Sequence, residues 1–493
     1  MVWSITGLRV GQKGPLDIGS RKGGWEMSGS AQAGASAGEA KSIGLVAAIS
    51  IGIGGMIGAG VFAILGVVAG IAGSALPLAF AIGGVVALFA AYSYVKLGKT
   101  FPSIGGSVTF LVQGYGDTVK AGTLNVFQYF AYIISLAIYA TGFAAYAATF
   151  VDLPTELFGV GIILVFTLVN FVGSRLMGRA ESVIVIIKVT ILIIFIIAAL
   201  TLLDSQTATR LSPSEWSTPI KILMGAGVIF VGFEGFGLIL NAAANMKNPD
   251  KEIPRAVFGA VGITIAIYIL VAIGVILSLP LPQVENLGND ALSVAARPSM
   301  GEFGFKLVAV AAILSTASAV NATLFGSANV AYQVGKNGGL PEAFDRKLWG
   351  KDVEGLFITA ALAIVFILIF PLGAVASMGS AGFLIVYAAV HYGHIKLRDK
   401  TGAKLWVLVT AIILSLILLA ALLYYMVTEQ QSSAIALVIT LGLSFLFELY
   451  YRKHRKRDFK QVLAQTSTEG KAADRSSTSN DDPPKGPPTT QTG

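Results

Sequence analysis

Apolar residues run through this chain in long blocks without charge, separated by short polar loops. Between Lys41 and Lys96 there is no Asp, Glu, Lys or Arg. A spanning helix needs about 20 apolar residues, so blocks of this kind predict transmembrane helices and not the core of a soluble domain. Twelve spans are expected: Ser42–Gly70, Leu76–Leu97, Ala121–Phe150, Leu157–Val172, Glu181–Leu203, Pro219–Ala244, Ala256–Leu279, Lys306–Val330, Gly355–Phe370, Gly373–His391, Leu405–Val427 and Ser433–Tyr450. The block from Gly355 to His394 is long enough for two spans and is divided at Pro371, which cannot continue a helical hydrogen-bond ladder. Residues 1–41, rich in Gly, Ser and Ala, and residues 451–493, basic and then polar and Pro-rich, are expected to be disordered cytoplasmic segments. Met27, followed by Ser-Gly-Ser, is expected as an alternative translation start.

Two of the spans are poor helices. The first reads Ile-Gly-Ile-Gly-Gly-Met-Ile-Gly-Ala-Gly-Val-Phe from Ile51 to Phe62. Glycine in a helix interior costs about 1 kcal/mol relative to alanine. Gly58 lies roughly 22–25 Å along the chain from either end of its block, near the bilayer midplane. Two readings are open for this cluster: a broken helix that exposes backbone groups to a substrate, or close packing of small residues between helices. The sixth span tips the balance. From Gly225 to Gly237 it carries Glu234 as its only charge, also near midplane, with Gly232, Gly235 and Gly237 around it. A lone carboxylate at that depth costs about 2.5–3.5 kcal/mol and must face the protein interior. Glycine-interrupted helices at equal depth, five spans apart, are the pattern of two inverted five-helix repeats, here 42–203 and 219–394, with 405–450 adding two more spans.

Charge placement gives the orientation. One set of loops carries Lys99, Lys120, Arg175, Arg179, Lys247, Lys251, Arg255, Lys336, Arg346, Lys347, Lys351, Lys396, Arg398, Lys400 and Lys404, whereas the opposite set carries Arg210 and Arg297. The first set is therefore expected on the cytoplasmic side of the cytoplasmic membrane, together with both termini. The run Arg452 to Arg457 agrees, and such a run can also touch anionic lipid head groups. Composition fits the same class: 55% of the 493 residues are hydrophobic and 13% are charged, against about 25% charged in soluble domains. The net charge of +8 sits in loops and tail, so no nucleic-acid partner is implied. The chain has no cysteine, which excludes disulfides and thiolate chemistry. No metal site, cofactor or nucleophile–base pair is expected, and the protein is not read as an enzyme. His391 and His394 stand beside Lys396 and Arg398 and are expected in a solvated, interfacial position.

Several stretches, in order along the chain, resemble the amino acid–polyamine–organocation permeases. They are Ile57-Gly58-Ala59-Gly60-Val61-Phe62 in the first span and Phe101-Pro102-Ser103-Ile104-Gly105-Gly106-Ser107 after the second. Phe233-Glu234-Gly235-Phe236 is followed by Lys247-Asn248-Pro249 and Ile253-Pro254-Arg255-Ala256, and Ser318 to Leu324 leads to Gly338 to Pro341. The resemblance covers most of Ser42 to Arg398. It implies an all-α, LeuT-type fold with spans one and six broken, and secondary transport of amino acids or related amines. It also implies a substrate site at Ile57, Gly58, Ala59, Gly60, Phe233, Glu234, Gly235 and Phe236, with the α-carboxylate on freed N–H groups and the α-amine on carbonyls. Two positions depart from the pattern: Ala59 stands where many relatives have serine, and Ala244-Asn245 replaces an acidic pair.

Lys188 is the only charge between Glu181 and Asp204, roughly 12 Å below the cytoplasmic end of its span. It either snorkels or points into the bundle, where a lysine can load and lose a proton. In proton-coupled relatives a lysine of the fifth span takes the place of a cation, which implies a coupling set of Lys188 with Ser315 and Ser318 on the eighth. Glu234 has three open roles: selecting cationic side chains, neutralising Lys188, or bonding the broken backbone. The sequence thus predicts a proton-coupled amino acid or amine importer, monomeric or homodimeric, whose partners are substrate, protons and membrane lipids. An uncoupled uniporter or exchanger is the alternative within the class, and an ion channel is the alternative outside it.

Overall fold

The expected spans are helices in the computed structural model, which describes residues 44–58, 60–102, 106–172, 177–241, 246, 248–336 and 354–454. Ala59, the Ala244-Asn245 pair, the arm 1–41 and the tail from 455 lie outside the described residues. Among the described residues, nine helices are long and apolar enough to cross a membrane: Leu76–Thr100, Val119–Ala147, Ser182–Leu200, Pro219–Leu240, Pro249–Ser278, Ala291–Ala328, Leu372–Thr401, Leu405–Glu429 and Gln431–His454. Three shorter apolar helices, Leu45–Met56, Thr155–Phe171 and Gly355–Ile369, lie at the expected first, fourth and ninth spans. Two helices meet ahead of the eighth span: residues 291–300 form one, and the span itself follows Gly301, whose φ of 66° and ψ of −160° interrupt the helical conformation.

Burial separates the centre from the rim. In the sixth span 83% of the apolar stretch is buried, against 28% in the twelfth. The last two spans expose Leu416, Ile417, Ile435, Val438, Ile439 and Leu443, a surface suited to lipid and not to water.

Both glycine-rich spans are broken. The first consists of Leu45–Met56 and Leu65–Ala72 with non-helical backbone between them. The sixth runs as a helix over Pro219–Ile229 and tightens to a 3-10 turn over Phe230–Phe233. It then opens at Glu234, which has φ −67° and ψ 138°, and resumes as Leu238–Asn241.

The two breaks touch through backbone. A Cβ on Gly232 would lie 2.5 Å from the Gly60 Cα, and one on Gly235 would lie 2.6 Å from the Gly55 carbonyl carbon. The glycines therefore do two things: they weaken the helices and they let the weakened segments meet. Gly235 also has φ +131°, a conformation that L side chains rarely adopt.

This double constraint predicts that Gly235→Ala lowers stability by about 2 kcal/mol or more, from backbone strain plus overpacking. Thermal unfolding of the purified protein measures it. A wild-type melting temperature would show that the two breaks can part without cost.

Candidate functional site

A break in a membrane helix releases carbonyl groups that lipid cannot satisfy. Those of the first span are taken by side chains from four other spans. Lys188 of the fifth donates from Nζ to the Gly54 carbonyl at 2.9 Å. Ser315 of the eighth donates from Oγ to the Ile57 carbonyl at 2.6 Å. Tyr146 of the third donates from its hydroxyl to the Phe62 carbonyl at 2.7 Å. Tyr268 of the seventh reaches the Met56 carbonyl at 2.7 Å and, across the contact between the breaks, the Gly232 carbonyl at 2.9 Å. A phenol has one proton, so that proton is shared between the two broken helices. Lys188, Ser315, Tyr146 and Tyr268 are all fully buried.

Lys188 therefore points into the bundle and does not snorkel. Its long stem serves the same end: on an otherwise apolar span it reaches past its own helix to the neighbouring backbone. Gly58 packs against the eighth span, where an added Cβ would come within 2.6 Å of the Ala319 Cβ. Ser318, next to Ala319, is half-buried.

In the sixth span, Ser380 of the tenth inserts its hydroxyl into the loosened ladder. It accepts from the Val231 N–H at 2.9 Å and donates to the Val228 carbonyl at 2.6 Å. Glu234 is half-buried and accepts hydrogen bonds from Tyr132 of the third span, at 3.3 Å, and from Tyr387 of the tenth. Phe233 packs on Tyr268 with ring centroids 5.1 Å apart, and Phe236 packs edge-on to Tyr94 at 5.3 Å. Both phenylalanines are buried in this aromatic packing.

One expectation needs correction. His391 and His394 are buried, not solvated. Both Nδ1 atoms meet the Ser93 hydroxyl of the second span, at 2.8 and 3.1 Å, and His394 Nε2 meets the Thr401 hydroxyl at 2.9 Å. The tenth helix does not end at His391 but continues to Thr401. Residues three apart share a helix face, and this face looks onto the second span.

Sequence reasoning missed Tyr132, Tyr146, Tyr268, Tyr387 and Ser380. A signal was present for Tyr132 and Tyr268, which lie near the middle of their spans. Tyrosines of membrane helices concentrate at the interface, so one near the middle of a charge-free span needs an internal partner.

Two broken helices in backbone contact, held by polar side chains inside an all-helical bundle, define a membrane transporter of the LeuT type. Sequence and structure comparisons agree. The model of the amino acid permease family matches residues 43–445, and the chain belongs to that family, within the amino acid–polyamine–organocation superfamily. It is 39% identical to an uncharacterized protein of Methanocaldococcus jannaschii over 425 residues, covering 85% of this chain and 97% of the relative. It is 32% identical to the inner membrane transport protein YbaT of Escherichia coli over 421 residues, covering 84% and 97%. The serine/threonine exchanger SteT of Bacillus subtilis is 29% identical over 333 residues, covering 66% and 74%. A solved manganese transporter variant from Eremococcus coleocola shares the fold, with a TM-score of 0.54 at 14% identity over 84% of this chain and 94% of its own.

The Tyr268 bridge yields a direct test. Tyr268→Phe keeps the ring and leaves two buried carbonyls without their donor, so stability should fall by about 1–3 kcal/mol. An unchanged melting temperature would mean that water or backbone takes over the bridge.

Proposed function

We propose that the protein moves amino acids or related amines across the cytoplasmic membrane by alternating access, coupled to protons. The observation that carries this reading is the buried Lys188 Nζ on the Gly54 carbonyl, at the broken end of Leu45–Met56. Protonated, Lys188 donates to that carbonyl and helps fix the half-helix beside the eighth span. Deprotonated, it donates more weakly and the half-helix is freer to swing out, so proton release accompanies substrate release. Ser315 and Ser318 complete the coupling set. The substrate site is assigned to Ile57, Gly58, Ala59, Gly60, Phe233, Glu234, Gly235 and Phe236, between the repeats 42–203 and 219–394. The N-terminus of Leu65–Ala72 suits a carboxylate, and carbonyls opposite suit an ammonium. Both termini are assigned to the cytoplasm. Exchange is the second reading, favoured by the likeness to a serine/threonine exchanger.

A thermal-shift screen of amino acids and polyamines on purified protein identifies the ligand, since a specific ligand stabilises by mass action. With that ligand in proteoliposomes, Lys188→Ala should abolish accumulation driven by an inward proton gradient and keep ligand binding. Accumulation by Lys188→Ala under a proton gradient alone would overturn coupling through this residue. Sodium-dependent uptake insensitive to pH would move coupling to the eighth span.

Orientation is tested separately. Cysteines placed at Ser214 and at Asn248 of this cysteine-free chain should label from opposite sides of sealed cells. Labelling from the same side would overturn the topology.

A further inference from the structure

A recess lies away from the broken helices. The short helix Ser107–Tyr115, the start of Val119–Ala147 and the far end of Leu372–Thr401 meet there. It is lined by Tyr115, Thr118, Val119, Lys120, Tyr392 and Lys396 and has a volume of about 390 Å³, within the ~300–1,000 Å³ of small-ligand clefts. The Tyr115 and Tyr392 rings stack with centroids 6.2 Å apart. The Lys396 ammonium lies 5.0 Å from the first centroid and 5.6 Å from the second. Tyr115 is fixed in place by its hydroxyl, which donates to the Ala389 carbonyl at 2.8 Å.

The rim is positive. Lys120 and Lys396 are exposed, and among the described residues neither has a carboxylate within ion-pair distance. Asp117, the acid of the adjoining loop, is taken by Arg452 at 2.5 Å. Backbone adds to the positive field. In the first turn of Val119–Ala147, the Ala121 N–H goes to Thr118 Oγ1 and the Gly122 N–H to the Thr118 carbonyl, which leaves those of Val119 and Lys120 as helix-end donors. Beside this corner, the twelfth span exposes Phe445, Leu446 and Leu449.

We propose that this recess binds the phosphate head group of an anionic phospholipid of the cytoplasmic leaflet. Two unpaired ammonium groups and helix-end N–H groups suit a phosphate. Stacked tyrosines, apolar in body and polar at the tip, suit the depth of the head groups. The apolar face of the twelfth span offers a bed for acyl chains, which a soluble anion would not use. The inference rests on the proposed orientation, which puts Lys120 and Lys396 on the cytoplasmic side.

Native mass spectrometry from nanodiscs tests it. Discs of phosphatidylcholine with phosphatidylglycerol are compared for the wild type, for a Lys120→Gln/Lys396→Gln protein and for Lys251→Gln, an exposed lysine outside the recess. Wild type and Lys251→Gln should retain phosphatidylglycerol, and the double glutamine variant should retain it several-fold less. Lys120→Arg/Lys396→Arg keeps the charge and should keep the lipid. Equal retention by the glutamine variant, or loss in the arginine variant, would overturn the proposal. So would inorganic phosphate that raises the melting temperature of the wild type but not of the glutamine variant in pure phosphatidylcholine discs, since the occupant would then be a soluble anion. The cysteine-labelling and Lys188 results do not depend on these variants, so lipid site, orientation and transport reading fail separately.

Discussion

The structure depends on how the carbonyl groups released by the break in the first span are satisfied. A helix interrupted inside a bilayer is tolerated only where protein or a water-filled cavity replaces the missing ladder bonds. Here the replacement comes from side chains: Lys188 on Gly54, Tyr268 on Met56, Ser315 on Ile57 and Tyr146 on Phe62. Each donor lies on a different span. The break therefore gathers the third, fifth, seventh and eighth spans around it, and the polar groups of an otherwise apolar bundle have a common destination.

Close backbone contact is the second consequence. A shared hydroxyl proton on Tyr268 can bridge Met56 and Gly232 only if the two breaks nearly touch. That distance excludes side chains at Gly60, Gly232 and Gly235. Polar satisfaction and glycine content are thus one requirement seen twice. Glu234 sits at the edge of this contact, where its carboxylate accepts from Tyr132 of the third span and Tyr387 of the tenth.

Much of this was legible in the sequence because charge and glycine are rare in membrane helices. The glycines from Gly52 to Gly60, and Glu234 with its flanking glycines, marked both breaks. Lys188 marked the fifth span as one with a charge to place, and the structure turns it inward. The partners of the broken backbone were not legible in the same way. Tyrosine and serine are common in apolar spans, and their helical register alone does not say which neighbouring carbonyl they reach. The histidine error has a similar origin. Neighbouring lysine and arginine suggested an interface, but position along a helix does not reveal its face, and the face of His391 and His394 is set by Ser93, a residue of another span.

The two halves of the first span are held in different ways. Leu65–Ala72 is locked through its far end. Ser217 donates to the Ala72 carbonyl at 2.8 Å, Ser74 donates to the Glu215 carbonyl, and Gly73 pairs with Trp216. Gly66 fits against the Gly288 carbonyl, where an added Cβ would lie 2.2 Å away. Leu45–Met56 has no such backbone clamp among the described residues, and Val46 near its free end is 78% exposed. At the break this half is tied by Lys188 and Tyr268 to its own carbonyls and by Ser315 to the next one. Hydrogen bonds of this kind contribute about 0.5–1.5 kcal/mol each, or 1.5–3 when one partner is charged. Their sum is a few kcal/mol, the scale on which two conformations of a protein exchange populations. The two halves thus differ in kind: one is clamped through backbone at its far end, and the other is held at the break by side-chain bonds of that size.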